Sequence, residues 1–437
     1  MNTTPPPDRL DRLTGRRSST NSNRVLIVED SRAIQGLLNA YLERIEGIEA
    51  ITATSLAEAQ AHLAKDADHF FCSVLDLNLP DAPRGEIVDA VQKYGIPVVV
   101  LTGSGNEEVR QAMRNKLVLE YVIKRQTEEI EHVAYLVGRI YENQQVKVLI
   151  VDDATSFRDY LKKLLENYQY QVLLAENGKA GLQVLSENPD ISLIITDYNM
   201  PEMDGLEMIK AIRQQYRRED LAIIGISDTA KSDLTVRLLK MGANDFITKD
   251  FEMEEFYCRV TQNTNMVGYV RKVRDSAIRD FLTRVYNRRH LFELATSLHA
   301  NAQRGLITIA TALIDADHFK RINDTHGHAM GDEALVAIAQ TLQNSLRKSD
   351  VVARFGGEEF VCIAVIKEEA DAVAVFEKVR ASLEAIELYS ESGERVPITA
   401  SIGVTTRLCD SFDEMLKLAD SAVYDAKDAG RNRVVQV

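Results

Sequence analysis

Short apolar, β-branched runs alternate with amphipathic stretches over the first 265 residues, and the alternation occurs twice. The runs 24–28, 73–75, 97–101 and 120–123 are followed by 147–151, 192–196, 222–226 and 245–247. Runs of this length separated by helical periodicity predict parallel strands buried on both faces, with helices covering the sheet on each side. The halves also repeat in wording. Arg24-Val-Leu-Ile-Val-Glu-Asp30 returns as Lys147-Val-Leu-Ile-Val-Asp-Asp153, an offset of 123 residues, and Val74-Leu-Asp76-Leu-Asn-Leu-Pro80 returns as Ile195-Thr-Asp197-Tyr-Asn-Met-Pro201. Repetition at domain length predicts two copies of one doubly wound unit, over 24–143 and 146–265.

Beyond the second copy the pattern changes. From 253 to 279, overlapping the end of that copy, apolar residues at Phe256, Val260, Met266, Val267, Val270, Val273 and Ala277 follow helical spacings. They predict a helical connector that could pair with its twin. After it, strand-like runs at 307–314, 351–355, 360–366 and 398–405 alternate with helical stretches near 288–300, 329–346, 369–386 and 412–428. That order predicts an α+β, ferredoxin-like domain over 280–437.

Composition narrows the class. A chain of 437 residues, at roughly 150 per domain, is expected to hold about three domains. With 45% hydrophobic and 27% charged residues, collagenous, wholly disordered and disulfide-scaffold classes are excluded. The net charge of −14 opposes a non-specific hold on nucleic acid. Cys72, Cys258, Cys362 and Cys409 lack CxxC spacing and suit a reducing cytosol. No run approaches about 18 apolar residues, and the start, with Pro5, Pro6 and Pro7, lacks a signal-peptide core. The expectation is a cytoplasmic protein without membrane insertion, preceded by a disordered lead over 1–23.

Polar residues in the two copies fall where chemistry is expected. Glu29 and Asp30 follow the first strand, Asp76 a buried one, Thr102 ends the next and Lys124 the last; the second copy supplies Asp152, Asp153, Asp197, Ser227 and Lys249 in the same order. All lie at carboxyl ends of parallel strands, where open α/β sheets form their sites. Three converging carboxylates call for a divalent cation, and hard oxygen ligands suit Mg²⁺. The added hydroxyl and lysine suggest that a phosphoryl group is held. A single such carboxylate is commonly a cap or a solvated residue, but five residues in order, twice, are not.

Both copies resemble response-regulator receiver domains, the flavodoxin-like phospho-accepting modules of two-component signalling. The resemblance implies Asp76 and Asp197 as phosphoacceptors that also join the upstream acidic pairs in holding Mg²⁺. It further implies Thr102 and Ser227 as switch hydroxyls, Lys124 and Lys249 as phosphoryl contacts, Tyr121 and Phe246 as switch aromatics, and a histidine kinase or phosphotransfer protein as partner. Two departures stand out. The proline usual after the lysine is replaced by Arg125 and Asp250, and Ser227 is followed by Asp228 where the first copy has Gly103. Asp76 is therefore expected to be the main regulated site, with the second copy a weaker acceptor or chiefly a dimerisation adaptor.

In the last domain, Gly356-Gly357 reads as a tight hairpin turn followed at once by Glu358 and Glu359. Adjacent strand residues point to opposite faces, so one glutamate should join Asp315, at the end of the first strand, unless the hairpin tip is irregular. Such a pair makes a hard-cation site that can also take nucleotide phosphates. Lys427 and Arg431 flank Ala429-Gly430, where the last helix must stop.

These residues resemble the GGDEF family of diguanylate cyclases, over roughly 280–437. The signature stands as Arg354-Phe-Gly-Gly-Glu-Glu-Phe360, with Asp280-Phe-Leu-Thr283 before it and His326-Gly-His-Ala-Met-Gly-Asp332 between. The resemblance implies that Asp315, Glu358 and the Ala316 carbonyl hold Mg²⁺, or Mn²⁺ in its place, and that Glu359 is a base or second-metal ligand. It implies that Asn323 and Asp332 read guanine and that Lys320, Lys427 and Arg431 steady phosphates. The implied reaction joins two GTP into cyclic di-GMP and two pyrophosphates across a homodimer. Arg347-Lys-Ser-Asp350 matches the family's RxxD site for inhibition by cyclic di-GMP; a plain surface Arg–Asp ion pair is the alternative. The rival to the whole reading is a catalytically weak scaffold that only senses cyclic di-GMP or GTP.

Overall fold

The computed structural model describes residues 22–103, 113, 116, 118–228, 232–390 and 392–437; the expected lead over 1–23 therefore lies outside the described residues apart from its last two. The chain divides into two compact units at Val270/Arg271.

The first unit holds two five-stranded sheets. The first sheet comprises β1 (Arg24–Val28), β2 (Glu49–Ala53), β3 (Phe70–Leu75), β4 (Val98–Thr102) and β5 (Glu120–Ile123), all parallel, in the order β2-β1-β3-β4-β5. The second repeats the order with β6 (Lys147–Val151), β7 (Gln171–Ala175), β8 (Leu193–Asp197), β9 (Ala222–Ser227) and β10 (Asp245–Thr248). Strands β3, β4, β8 and β9 are buried along their whole length, and β1 and β6 from their second residue on, as a sheet covered on both faces requires. The sequence pattern anticipated four strands per copy; the fifth, β2 or β7, is an edge strand. Each is only part-buried until its last residue, so neither leaves the continuous apolar run that marks the central strands.

The copies meet through buried polar and aromatic contacts. Tyr168 Oη donates to the Leu119 carbonyl at 2.9 Å, and Asn143 Nδ2 donates to the Tyr168 carbonyl at 3.0 Å. The Tyr168 ring lies 3.8 Å, centroid to centroid, from Tyr257. A cleft of about 770 Å³ opens beside this seam, lined among others by Tyr121, Tyr135, Arg139 and Cys258 and by none of the candidate metal-holding carboxylates.

The expected connector is the helix Met253–Ile278. Its first half is fixed to the second copy through Phe256, Val260 and Val267, all at most 1% exposed. Its later turns turn Met266, Tyr269 and Val273 to the surface, spaced by three and four residues as one helical stripe. Among the described residues no helix is long and apolar enough to cross a membrane.

The second unit is a six-stranded mixed sheet in the order β11-β13-β14-β12-β15-β16: β11 (Tyr286–Asn287), β12 (Thr308–Ala316), β13 (Val351–Gly356), β14 (Glu359–Ile366), β15 (Ala400–Thr405) and β16 (Val434–Gln436). Antiparallel β13-β14-β12-β15 forms its centre, and helices Arg288–Gln303, His328–Ser345, Asp371–Glu384 and Phe412–Asp428 realise the four helical stretches expected. The helix Phe412–Asp428 lies hard against β15. A Cβ on Gly403 would stand 2.0 Å from the Ala419 carbonyl oxygen, so only glycine admits that approach. The short helix Phe319–His326 was not anticipated.

Candidate functional sites

Each receiver-like copy gathers its five residues at the carboxyl edge of its sheet. In the first, Glu29 and Asp76 are 2% and 6% exposed, Asp30 is exposed, and one carboxylate oxygen of each lies within 4.8 Å of the others. Lys124 Nζ donates to Asp76 Oδ2 at 2.7 Å and to Glu29 Oε2. The backbone aligns these groups: the Asp76 amide donates to the Val28 carbonyl and the Lys124 amide to the Thr102 carbonyl, both at 2.8 Å. Thr102 is fully buried at the end of β4. Burial raises Glu29 above the usual carboxylate range, and Lys124 opposes that rise.

The second copy reproduces the cluster with Asp152, Asp153 and Asp197. Lys249 Nζ lies 2.9 Å from Asp152 Oδ2 and from Asp197 Oδ2, and 4.8 Å from the Phe157 ring centroid. It thus compensates two largely buried carboxylates at once. Burial holds Asp197 up at about 6, with Asp152 adding to the rise against Lys249. The Lys249 amide donates to the Ser227 carbonyl at 2.9 Å, so the serine and lysine keep the register of the first copy. Among the described residues no peptide bond is cis, yet both lysines reach their aspartates. Three carboxylate oxygens within 4.8 Å of one another in each copy are the hard donor set that Mg²⁺ takes.

In the second unit the β12–β14 pairing sets Asp315 directly opposite Glu359. The hairpin tip is irregular. The β13–β14 register shifts between Arg354 and Gly356, and Gly357 has φ +44°. At this tip the Ala316 amide donates to the Glu358 carbonyl at 3.4 Å, and Glu358 and Glu359 each interact electrostatically with Asp315. Lys427 Nζ stands 2.7 Å from Asp315 Oδ2. Burial first, then neighbouring carboxylates, raises Asp315 and Glu359 above their usual range; Lys427 opposes this in both. Asp420, at the midpoint of the helix Phe412–Asp428, belongs to the same electrostatic cluster. It lies seven residues before Lys427 on the same helix face, but an isolated aspartate at such a spacing carries no signal of its own in the sequence. The carboxylate oxygens here do not form a group closed to within 4.8 Å as they do in the receiver copies among the described residues; hard oxygen donors of this kind are nonetheless the class a divalent cation takes.

The remaining candidates surround this edge. Asn323 lies on the helix Phe319–His326, and a Cβ on Gly331 would fall 1.9 Å from its Oδ1. The glycine therefore makes the recess that the amide fills, one residue from exposed Asp332. Lys320 is exposed at the start of the same helix. Arg431 has φ +64°, and its Nη1 lies 3.5 Å from the Lys427 carbonyl oxygen. Arg347 and Asp350 form no side-chain ion pair. Asp350 instead accepts from the Arg347 and Val365 amides, at 2.9 and 3.2 Å, and leaves the exposed guanidinium to solvent.

Comparison with known proteins agrees with this division. The response regulator receiver domain family matches residues 25–134 and 148–261, and the diguanylate cyclase GGDEF domain family matches 277–433. Response regulator PleD of Caulobacter vibrioides is 30% identical over 465 aligned positions, covering 95% of this chain and 99% of that protein. Diguanylate cyclase VdcA of Vibrio cholerae is 40% identical over 168 positions, covering 38% of this chain and 48% of that protein. A solved two-component response regulator/GGDEF domain protein superposes with a TM-score of 0.51 at 37% identity, covering 56% of this chain and 99% of that one. The chain belongs to the response regulators whose output is a diguanylate cyclase GGDEF domain.

Proposed function

We propose that this protein is a phosphorylation-regulated diguanylate cyclase that condenses two GTP into cyclic di-GMP and two pyrophosphates across a homodimer. The observation that carries the reading is the placement of Asp315 opposite Glu359, with Lys427 on Asp315 and Glu358 in the same electrostatic cluster, beside an irregular hairpin tip. Asp315, Glu358 and the Ala316 carbonyl would hold Mg²⁺, which supplies neutralisation of phosphate charge when bound. Lys427, now on Asp315, would turn to the triphosphate with Arg431 and Lys320. Asp332 would accept from guanine N1–H and N2–H, donors that adenine lacks, with Asn323 seated beside it.

In each half-reaction the 3′-hydroxyl of one GTP attacks the α-phosphorus of the facing GTP. The O3′–P bond forms, the bond to the β-phosphate bridging oxygen breaks, pyrophosphate leaves, and the hydroxyl proton passes to a base. Glu359 suits that role, since burial and the neighbouring carboxylates raise its carboxyl above the usual range and so make it a better proton acceptor. Each protomer presents one GTP, so dimerisation is part of the chemistry. The exposed stripe Met266, Tyr269 and Val273 supports pairing of two connector helices.

Upstream, Asp76 and Asp197 would accept phosphoryl groups from a histidine kinase or phosphotransfer protein, and the added charge would change receiver packing. Arg347 and Asp350 would bind cyclic di-GMP as a product brake; the unengaged guanidinium supports this over a simple ion pair. The test is product formation from GTP and Mg²⁺ by the purified chain. Glu359→Ala is expected to lower the rate at least ~100-fold while GTP binding persists, and an unchanged rate would remove Glu359 from the mechanism.

A further inference from the structure

Asp317 lies two residues beyond Asp315 and is 5% exposed. Its amide donates to the Thr399 carbonyl at 2.8 Å. Its Oδ1 accepts from Ser401 Oγ at 2.7 Å, and its Oδ2 accepts from Thr399 Oγ1 at 2.9 Å and from the Asn432 amide at 3.1 Å. One buried carboxylate thus joins three chain segments: the end of β12, the approach to β15, and the turn after the last helix.

That turn needs holding. Arg431 and Asn432 are consecutive residues with side chains in the left-handed region, at φ +64° and +45°, a conformation the Cβ disfavours. Asn432 is clamped from both sides. Its side chain meets Arg380 Nη1 at 2.8 Å and Glu384 Oε1 at 2.9 Å, while its amide meets Asp317. The Arg431 guanidinium has only the long contact to the Lys427 carbonyl. Its direction is set by the backbone of the turn.

We propose that Asp317 is a positioning residue that fixes Arg431 relative to the carboxylates around Asp315, and so sets the distance over which a GTP triphosphate is held. The proposal rests on Arg431 holding phosphate. Asp317 reaches the nucleotide only through Arg431, whose turn it locks, and the Ser401 and Thr399 hydroxyls hold its carboxylate in place.

The test measures the affinity of the full chain, with Mg²⁺, for a GTP analogue with a non-cleavable α–β bridge. Arg431→Ala is expected to weaken binding ~10-fold. Asp317→Ala should weaken it by a similar factor in the wild-type background and have no further effect on Arg431→Ala, because residues acting through one contact are non-additive. Asp317→Asn, which keeps the shape and one acceptor, should fall between and serves if the alanine variant does not fold. Ser401→Ala should lower the melting temperature yet leave affinity within about twofold, separating positioning from stability. Full additivity of Asp317 and Arg431 substitutions overturns the proposal alone. An Arg431→Ala protein that binds like wild type overturns the phosphate role of Arg431 and the proposal with it.

Discussion

In the first receiver Lys124 bridges a glutamate and an aspartate, Glu29 and Asp76; in the second Lys249 bridges two aspartates, Asp152 and Asp197. Burial raises a carboxyl in each, but a different one. In the first copy it is the upstream Glu29, and in the second it is Asp197 itself, held at about 6. The residue beside the switch hydroxyl also differs, exposed Gly103 against exposed Asp228. Matching residues at matching strand ends therefore do not make equivalent sites. In the second copy Asp197, the proposed acceptor, carries the electrostatic load, and a further negative residue follows Ser227 directly in the chain.

The largest expected consequence is an unequal distribution of phosphate. When the chain is labelled with acetyl phosphate and Mg²⁺, Asp76→Asn should remove most of the label and Asp197→Asn little of it. Asp228→Gly should raise labelling of the second copy several-fold by removing a charge of about −1 from the approach. Equal labelling of the two copies, with no effect of Asp228→Gly, would break the comparison.

A smaller effect sharpens it through protons. A carboxyl with a folded-state value near 6 is about half protonated at pH 6, and cation binding drives that proton off. Addition of Mg²⁺ to metal-free protein should release about half a proton more at pH 6 than at pH 8 from this group, and Asp197→Asn should abolish the difference. The same raised value means that ionised Asp197 weakens the metal-free fold above pH 6, a cost absent below the unfolded value of 3.8. Asp197→Asn should therefore raise the melting temperature of metal-free protein at pH 7 and have little effect near pH 4.

The smallest effect concerns the seam between the copies. Tyr168→Phe removes the hydroxyl that meets the Leu119 carbonyl while keeping the ring against Tyr257. It should cost about 1 kcal/mol in urea unfolding. No loss would mean that water replaces the hydroxyl without penalty.

Central strands and the clustered carboxylates at strand ends were legible in the sequence because both leave strong local patterns. A strand buried on two faces is an apolar run, and Glu29-Asp30, Asp152-Asp153 and Glu358-Glu359 stand directly after or beside such runs. Edge strands β2 and β7 were not legible, since half-buried strands mix polar and apolar positions. The helix Phe319–His326 is only eight residues long and begins after His318 at φ +57°, with two buried positions to mark it. Asp317 and Asp420 were missed for a different reason. An isolated aspartate reads as solvated, and only tertiary contacts reveal that one locks a turn while the other faces Glu359. The tip irregularity was foreseen only as a condition, because a double glycine permits several turns and the register is settled by pairing with β12.

The most direct measurement of the central claim is the rate of cyclic di-GMP formation by the full chain, before and after beryllofluoride, with mass in solution followed in parallel. The account predicts a dimer and a rate increase on the order of tenfold, retained in Asp197→Asn and lost in Asp76→Asn. No product from GTP and Mg²⁺ in either state, or an equal rate in both states for a wild-type chain shown to bind beryllofluoride, would contradict it.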